Sequence, residues 1–161
     1  MSTHIETNPR PGLSCLRAAV IITLAVGLAS STGSLFPPGP WYAGLTHPLG
    51  TPPATAFPII RTLMYVAMAV AAWLVWQSAG FGRALALFTL QLVLNAAWMP
   101  TAFGAHLLEG SVVVIIALWL TLAATIIECW FANRAASILL WPCLAWITYV
   151  GYLAIGLALL N

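Results

Sequence analysis

Five long apolar runs dominate the chain, most of them separated by only a few polar or small residues. They extend from Leu13 to about Ser34, Phe57 to Gln77, Arg83 to about Phe103, about Leu107 to Phe131, and Ala135 to Leu160. Each has about the 20 residues that a bilayer core requires. In hydrocarbon a spanning segment must satisfy its own backbone hydrogen bonds, which a helix does. The pattern therefore predicts an all-α integral membrane protein, a five-transmembrane-helix bundle. Three connections are short: Ser78 to Gly82, Gly104 to His106, and Ala132 to Arg134. Links of that length predict antiparallel neighbours. Residues 1–12 are polar, with Pro9 and Pro11, and read as a flexible tail ahead of a membrane domain over 13–161. Arg10 and the small residues after Gly27 give the first run some likeness to a signal peptide, but its length favours a retained span.

The connection from about Leu35 to Ala56 is different. It is long and carries Pro37, Pro38, Pro40, Pro48, Pro52 and Pro53, too many prolines for regular structure. Trp41, Tyr42 and Leu45 make it too apolar for an idle linker. A long loop in a compact fold is usually functional, and this one is predicted to be a semi-rigid lid over a cavity between helices.

Composition supports the membrane assignment. Of 161 residues 62% are hydrophobic and 5% charged, against about 25% charged in soluble domains. Eight charges cannot cover a water-facing surface, and a net charge of +2 is too small to imply nucleic acid. Arg10, Arg17, Arg83 and Arg134 fall on the N-terminal side of the predicted topology. On the other side the loops carry no Arg or Lys, and Arg61 is the nearest cation. The positive-inside rule then predicts a cytoplasmic N-terminus in a bacterial plasma membrane. Cys15, Cys129 and Cys143 lie in apolar runs without C-x-x-C spacing and read as packing residues.

Candidate chemistry is sparse. Gln91, Asn95 and Trp98 are spaced i, i+4, i+7 and share one helix face. Amides at membrane depth must face protein or a cavity, so they serve as interhelical glue or as a polar anchor for a ligand. Arg61 shares a stripe with Phe57 and Tyr65. It either snorkels to the near interface or meets an anionic ligand group, since Arg binds carboxylates bidentately. His47, before Pro48, is either solvated or a second, pH-dependent donor. Trp98 and Trp146 are the tryptophans best placed for a pocket, Trp146 lying four residues past Pro142, where a kink opens space. Trp146, Tyr149 and Leu153 form one face. An aromatic cavity suits a flat, largely apolar ligand, although such a stripe also serves as plain core. Trp73, Trp76, Trp119, Trp130 and Trp141 read as interface-belt or lipid-facing residues. No nucleophile elbow, phosphate loop or working carboxylate pair is found: Glu109 and Glu128 lie 19 positions apart, roughly 28 Å along a helix.

Several pieces together resemble one family. They are Trp41 to Pro48 (WYAGLTHP), the Pro52-Pro53 and Phe57-Pro58 steps, Tyr65, Gln91 to Gly104 (QLVLNAAWMPTAFG) and Trp141 to Trp146 (WPCLAW). This set is similar to the tryptophan-rich sensory protein/translocator protein family, over about residues 20 to 161. The resemblance implies a five-helix bundle, often a homodimer, with a ligand cavity closed by the first loop. It also implies binding of tetrapyrroles such as protoporphyrin and haem, in transport, regulatory or porphyrin-breakdown roles. Trp41 and Tyr42 match the lid aromatics; Tyr65, Asn95, Trp98 and Trp146 match cavity positions. The chain departs from the family at His47, Leu49, Gly50, Ala54, Thr55, Cys143 and Ala154, and at Arg61, where a Trp is usual. No Lys or Arg follows Tyr149 or Tyr152, which argues against a cholesterol-type motif.

The expectation is a receptor or carrier that needs no cofactor and takes a porphyrin or haem as ligand, with Trp41, Tyr42, His47, Arg61, Tyr65, Gln91, Asn95, Trp98, Trp146 and Tyr149 as the site. Its expected partners are the lipid bilayer, the small apolar ligand and a second copy of the chain. The alternatives are an accessory structural subunit of a larger membrane complex handling pigments or lipids, and an enzyme acting on a porphyrin or isoprenoid.

Overall fold

Residues 12–53 and 55–161 are described by the computed structural model. The flexible tail expected over residues 1–12 lies outside them, except Gly12, which opens the first helix. Among the described residues the regular structure is helical: α1 (Gly12–Leu35), α2 (Pro40–Ala43), α3 (Ala56–Ala79), α4 (Arg83–Met99), α5 (Leu108–Ala132) and α6 (Arg134–Leu160). All but the one-turn α2 are long and apolar enough to cross a membrane, α4 together with the turn that continues it to Gly104. The chain is an integral membrane protein whose five spanning helices meet lipid on their outer faces.

The packing order is a ring. α1 lies against α3 and α4, α3 against α6, α6 against α5, and α5 against α4. The short α3–α4 connection was expected to make those two helices neighbours, but they touch only sparingly because α1 packs against both. A short link fixes antiparallel direction; it does not fix which flank the next helix turns to its predecessor. Gly80 makes the turn possible: its φ of 71° lies in the left-handed region that favours glycine.

Local chemistry sets the helix ends. Asn133 ends α5 by donating its N–H to the Cys129 carbonyl at 2.7 Å. It also begins α6, where its side chain accepts the Ala136 N–H at 3.1 Å, so one residue serves two helices. At the end of α4, Pro100 has no N–H to continue the ladder. The chain widens there into a π-helical turn, Pro100–Gly104, closed by Ala105 N–H to the Pro100 carbonyl at 2.8 Å. His106 follows with a φ of 57°.

The proline-rich connection is not wholly irregular. Pro40 starts the one-turn α2 at N1, the position where a missing N–H costs nothing and the fixed φ is already helical. The remainder runs as a strap across one end of the bundle. Phe36 packs on Gly104, and Trp41 stacks on His106 with ring centroids 4.1 Å apart. Further along, Thr46 exchanges two hydrogen bonds with the Asn161 side chain, at 2.9 and 3.1 Å. Pro48 is buried against Gly156. Tyr149 and Tyr152 donate their hydroxyls to the carbonyls of Gly50 and Leu49.

Candidate ligand-binding site

A cavity of about 40 Å³ lies inside the ring, towards the strap end. α3 contributes Phe57, Arg61, Met64, Tyr65 and Met68, a run at helical spacing that turns one stripe inward. α4 contributes Asn95 and Trp98, and α5 contributes Ile115 and Leu118. α6 contributes Cys143, Trp146, Ile147 and Val150. α1 does not line the cavity, yet it fixes the polar wall from behind.

That wall is a chain of hydrogen bonds. The Arg61 guanidinium donates through Nη2 to the Tyr65 hydroxyl at 3.0 Å and to Thr32 Oγ1 of α1 at 3.3 Å. The Tyr65 hydroxyl donates to Asn95 Oδ1 at 2.9 Å and to the Ala29 carbonyl of α1 at 3.2 Å. Gly33 lets the guanidinium lie close to α1: a Cβ there would stand 3.2 Å from Arg61 Cζ and Nη1. Arg61 is half-buried and sits 5.3 Å from the centroid of the Tyr65 ring. It thus turns toward α1, and no carboxylate pairs with it among the described residues.

Two donors in this wall have no acceptor among the described residues. Arg61 Nε and Trp98 Nε1 are both buried and unpartnered. Phe57 and Trp146 meet edge to face, 5.1 Å between centroids, across the α3–α6 side of the cavity. Trp98 touches Phe103 of the π-helical turn at 5.8 Å, and Phe103 touches Tyr42 of the strap at 5.3 Å, each edge to face. The strap thus reaches the cavity wall through one intervening ring.

Of the residues singled out from the sequence, Arg61, Tyr65, Asn95, Trp98 and Trp146 come together around the cavity. Trp41, Tyr42, His47, Gln91 and Tyr149 are not among its lining residues. Trp41 and Tyr42 hold the strap to the α4–α5 end, and burial pushes the Tyr42 hydroxyl pKa above the usual tyrosine range. His47 is exposed beside the Tyr42 ring, at 4.7 Å. Tyr149 holds the strap and packs against Trp146. Gln91 is fully buried, and among the described residues neither its Nε2 nor its Oε1 has a partner. Sequence reasoning did not single out Thr32 and Gly33, which brace Arg61. A hydroxyl and a glycine in an apolar run give no signal of what lies opposite. Trp119, Trp130 and Trp141 are exposed on the outer faces, and Trp73 stacks on Trp76 at 5.5 Å. The buried Cys129 and Cys143 are free thiols, as is Cys15.

Comparison with known proteins gives a consistent result. A family model described as the TspO/MBR family matches residues 19–160. The chain is 31% identical over 142 residues to Protein CrtK of Rhodobacter capsulatus, covering 86% of this chain and 89% of the relative. It is 36% identical to the tryptophan-rich sensory protein of Cereibacter sphaeroides, over 77% and 78% of the two chains. It is 35% identical to the translocator protein of Homo sapiens, over 81% and 82%.

Proposed function

The chain belongs to the TspO/MBR family, and on that footing we propose that it is a membrane receptor or carrier for a flat, largely apolar ligand, a tetrapyrrole such as protoporphyrin or haem. Family membership supports the receptor or sensory role. The observation that carries the finer reading is the cavity itself, with Trp98, Trp146 and Phe57 around an arginine that has no acid partner among the described residues. Aromatic walls suit a flat ring, and a lone guanidinium suits an acidic substituent.

Size makes opening part of the proposal. A ligand pocket ordinarily holds about 300–1,000 Å³, whereas this cavity is about 40 Å³. A ring enters only if Phe57 and Trp146 part and the strap gives way, so the strap is assigned the role of lid. The protein would then work as a homodimer in a bacterial plasma membrane, N-terminus inside, with transport or regulation as the outcome of binding. Titrating protoporphyrin against tryptophan fluorescence tests the binding. A dose-dependent, saturable quench is expected, and its absence in protein reconstituted in lipid would refute the reading. Labelling a cysteine placed at the N-terminus from either side of the membrane tests the orientation.

The small volume of about 40 Å³ favours a second reading, an accessory structural subunit of a larger membrane complex, in which the aromatic residues are packing. Purification in mild detergent separates the two. A stoichiometric partner supports the subunit reading, and a homodimer that carries pigment supports the receptor.

A further inference from the structure

We propose that the polar wall of the cavity is a carboxylate subsite, built from Arg61, Trp98 Nε1 and the Asn95 amide, which selects ligands that carry a free acid group. The inference rests on the receptor reading and names what that receptor recognises first.

The polar groups facing this space are oriented as donors. Arg61 carries a full positive charge and can only donate. Its Nη2 is engaged by Tyr65 and Thr32, but its Nε is buried with no acceptor. Trp98 is 9% exposed, lines the same cavity, and its indole N–H, also a donor only, is buried and unmatched. Asn95 has its carbonyl oxygen occupied by the Tyr65 hydroxyl at 2.9 Å, which leaves its NH₂ as the group to offer. Tyr65 spends its own proton on Asn95 and Ala29. The Tyr65 and Asn95 oxygens, the acceptors in the wall, are therefore engaged, while an unneutralised cation and two further N–H groups remain.

Buried donors without acceptors are uncommon in folded proteins, and an unpaired charge taken out of water is strongly disfavoured. Two such atoms, on residues of different helices that line one cavity, point to a missing acceptor beside it. A carboxylate fits: it accepts at both oxygens and neutralises the guanidinium through charge-assisted bonds. The cavity volume agrees with a head group. About 40 Å³ holds about three or four waters on the scale of roughly 10–15 Å³ per water, which is room for an acid group and not for a ring. The ring or chain attached to it would lie towards Phe57 and Trp146, on the α3–α6 side. Tyr65, Thr32 and Gly33 are positioning residues: they hold the guanidinium against α1 at the edge of the cavity.

The test compares protoporphyrin, which bears free carboxyl groups, with its dimethyl ester, which has the same ring and no acid. Both are titrated against intrinsic tryptophan fluorescence of the full chain in lipid nanodiscs. The acid is expected to bind about 10- to 100-fold more tightly, the range of a charge-assisted pair. Arg61→Gln should abolish the difference between acid and ester. Arg61→Lys, which keeps charge without the fork, should keep part of it. Trp98→Phe, which keeps an aromatic ring and removes only the N–H, should weaken the acid about tenfold and leave the ester unchanged. Circular dichroism of each variant serves as the folding control, and the Arg61→Lys and Trp98→Phe pair still decides the question if Arg61→Gln does not fold. A sixteen-carbon fatty acid is added as competitor: displacement assigns the subsite to aliphatic acids as well, and lack of displacement restricts it to acids on a flat ring. Equal binding of acid and ester overturns the subsite and leaves the receptor reading intact, whereas binding of neither overturns both.

Discussion

Replacing Gly156 by alanine should lift the strap from the end of the bundle without unfolding the bundle. An added Cβ would stand 2.8 Å from Pro48 Cβ and 3.0 Å from Pro48 Cγ. Carbon atoms rest at about 3.5–4.0 Å, so one side must retreat by roughly an ångström. Neither atom can swing away, because one is fixed to a helix backbone and the other belongs to a closed ring. The strap is the softer side. Its displacement would stretch the two Thr46–Asn161 hydrogen bonds, now 2.9 and 3.1 Å, beyond the distance at which they count as bonds. Losing two bonds at about 0.5–1.5 kcal/mol each weakens strap docking by about 1–3 kcal/mol, or roughly 5- to 150-fold in the open fraction. The helix itself gains up to about 1 kcal/mol from alanine over glycine, so global stability should barely move. Hydrogen exchange of a peptide covering Thr46 to Thr51 reads the local opening directly. Gly151→Ala on the same helix is the control, since its Cβ would meet only Ile115 Cγ1 at 4.0 Å, an ordinary contact. If both variants exchange alike in that peptide, the strap does not depend on the Pro48–Gly156 contact and the reasoning fails.

Three further outcomes are expected. Gln91→Met should raise stability by about 1–3 kcal/mol, because it removes two buried polar atoms that have no partner; a loss of that size in denaturant titrations would mean the amide is bonded after all. Tyr65→Phe should cost about 1–2 kcal/mol, since the hydroxyl bonds Asn95, Ala29 and Arg61 at once, and unchanged thermal stability would contradict that network. Trp146→Ala should enlarge the cavity and cost about 2–3 kcal/mol, below the full value for a buried aromatic because Trp146 is only half-buried; the variant should take up xenon or benzene where the parent does not.

The number and length of the spans were legible in the sequence because hydrocarbon imposes a length and demands a helix. The strap could be anticipated from its prolines and aromatics, and a polar inner wall from Arg61, Tyr65 and Asn95, since such groups in a span must face protein or a cavity. One-turn α2 was missed because the count of prolines outweighed the one position, N1, where proline favours a helix.

Which helix faces which was not legible. In water an amphipathic stripe marks the inner face, but in lipid both faces are apolar. Leu24 is exposed and Leu122 fully buried, and nothing in either residue announces it. Gln91 shares a helix face with Asn95 and Trp98, yet only the latter two reach the cavity. The ring order, with α1 against both α3 and α4, decides that difference. The latch between Thr46 and Asn161 joins residues 115 positions apart, and the guanidinium of Arg61 is held by Thr32 and Gly33 of another helix. The sequence alone determined that five helices would enter the bilayer, because that depends on transfer of each segment from water to lipid. Tertiary structure alone decided which helices meet and which side chains face each other between them, because that depends on close packing between segments whose surfaces are all alike in polarity.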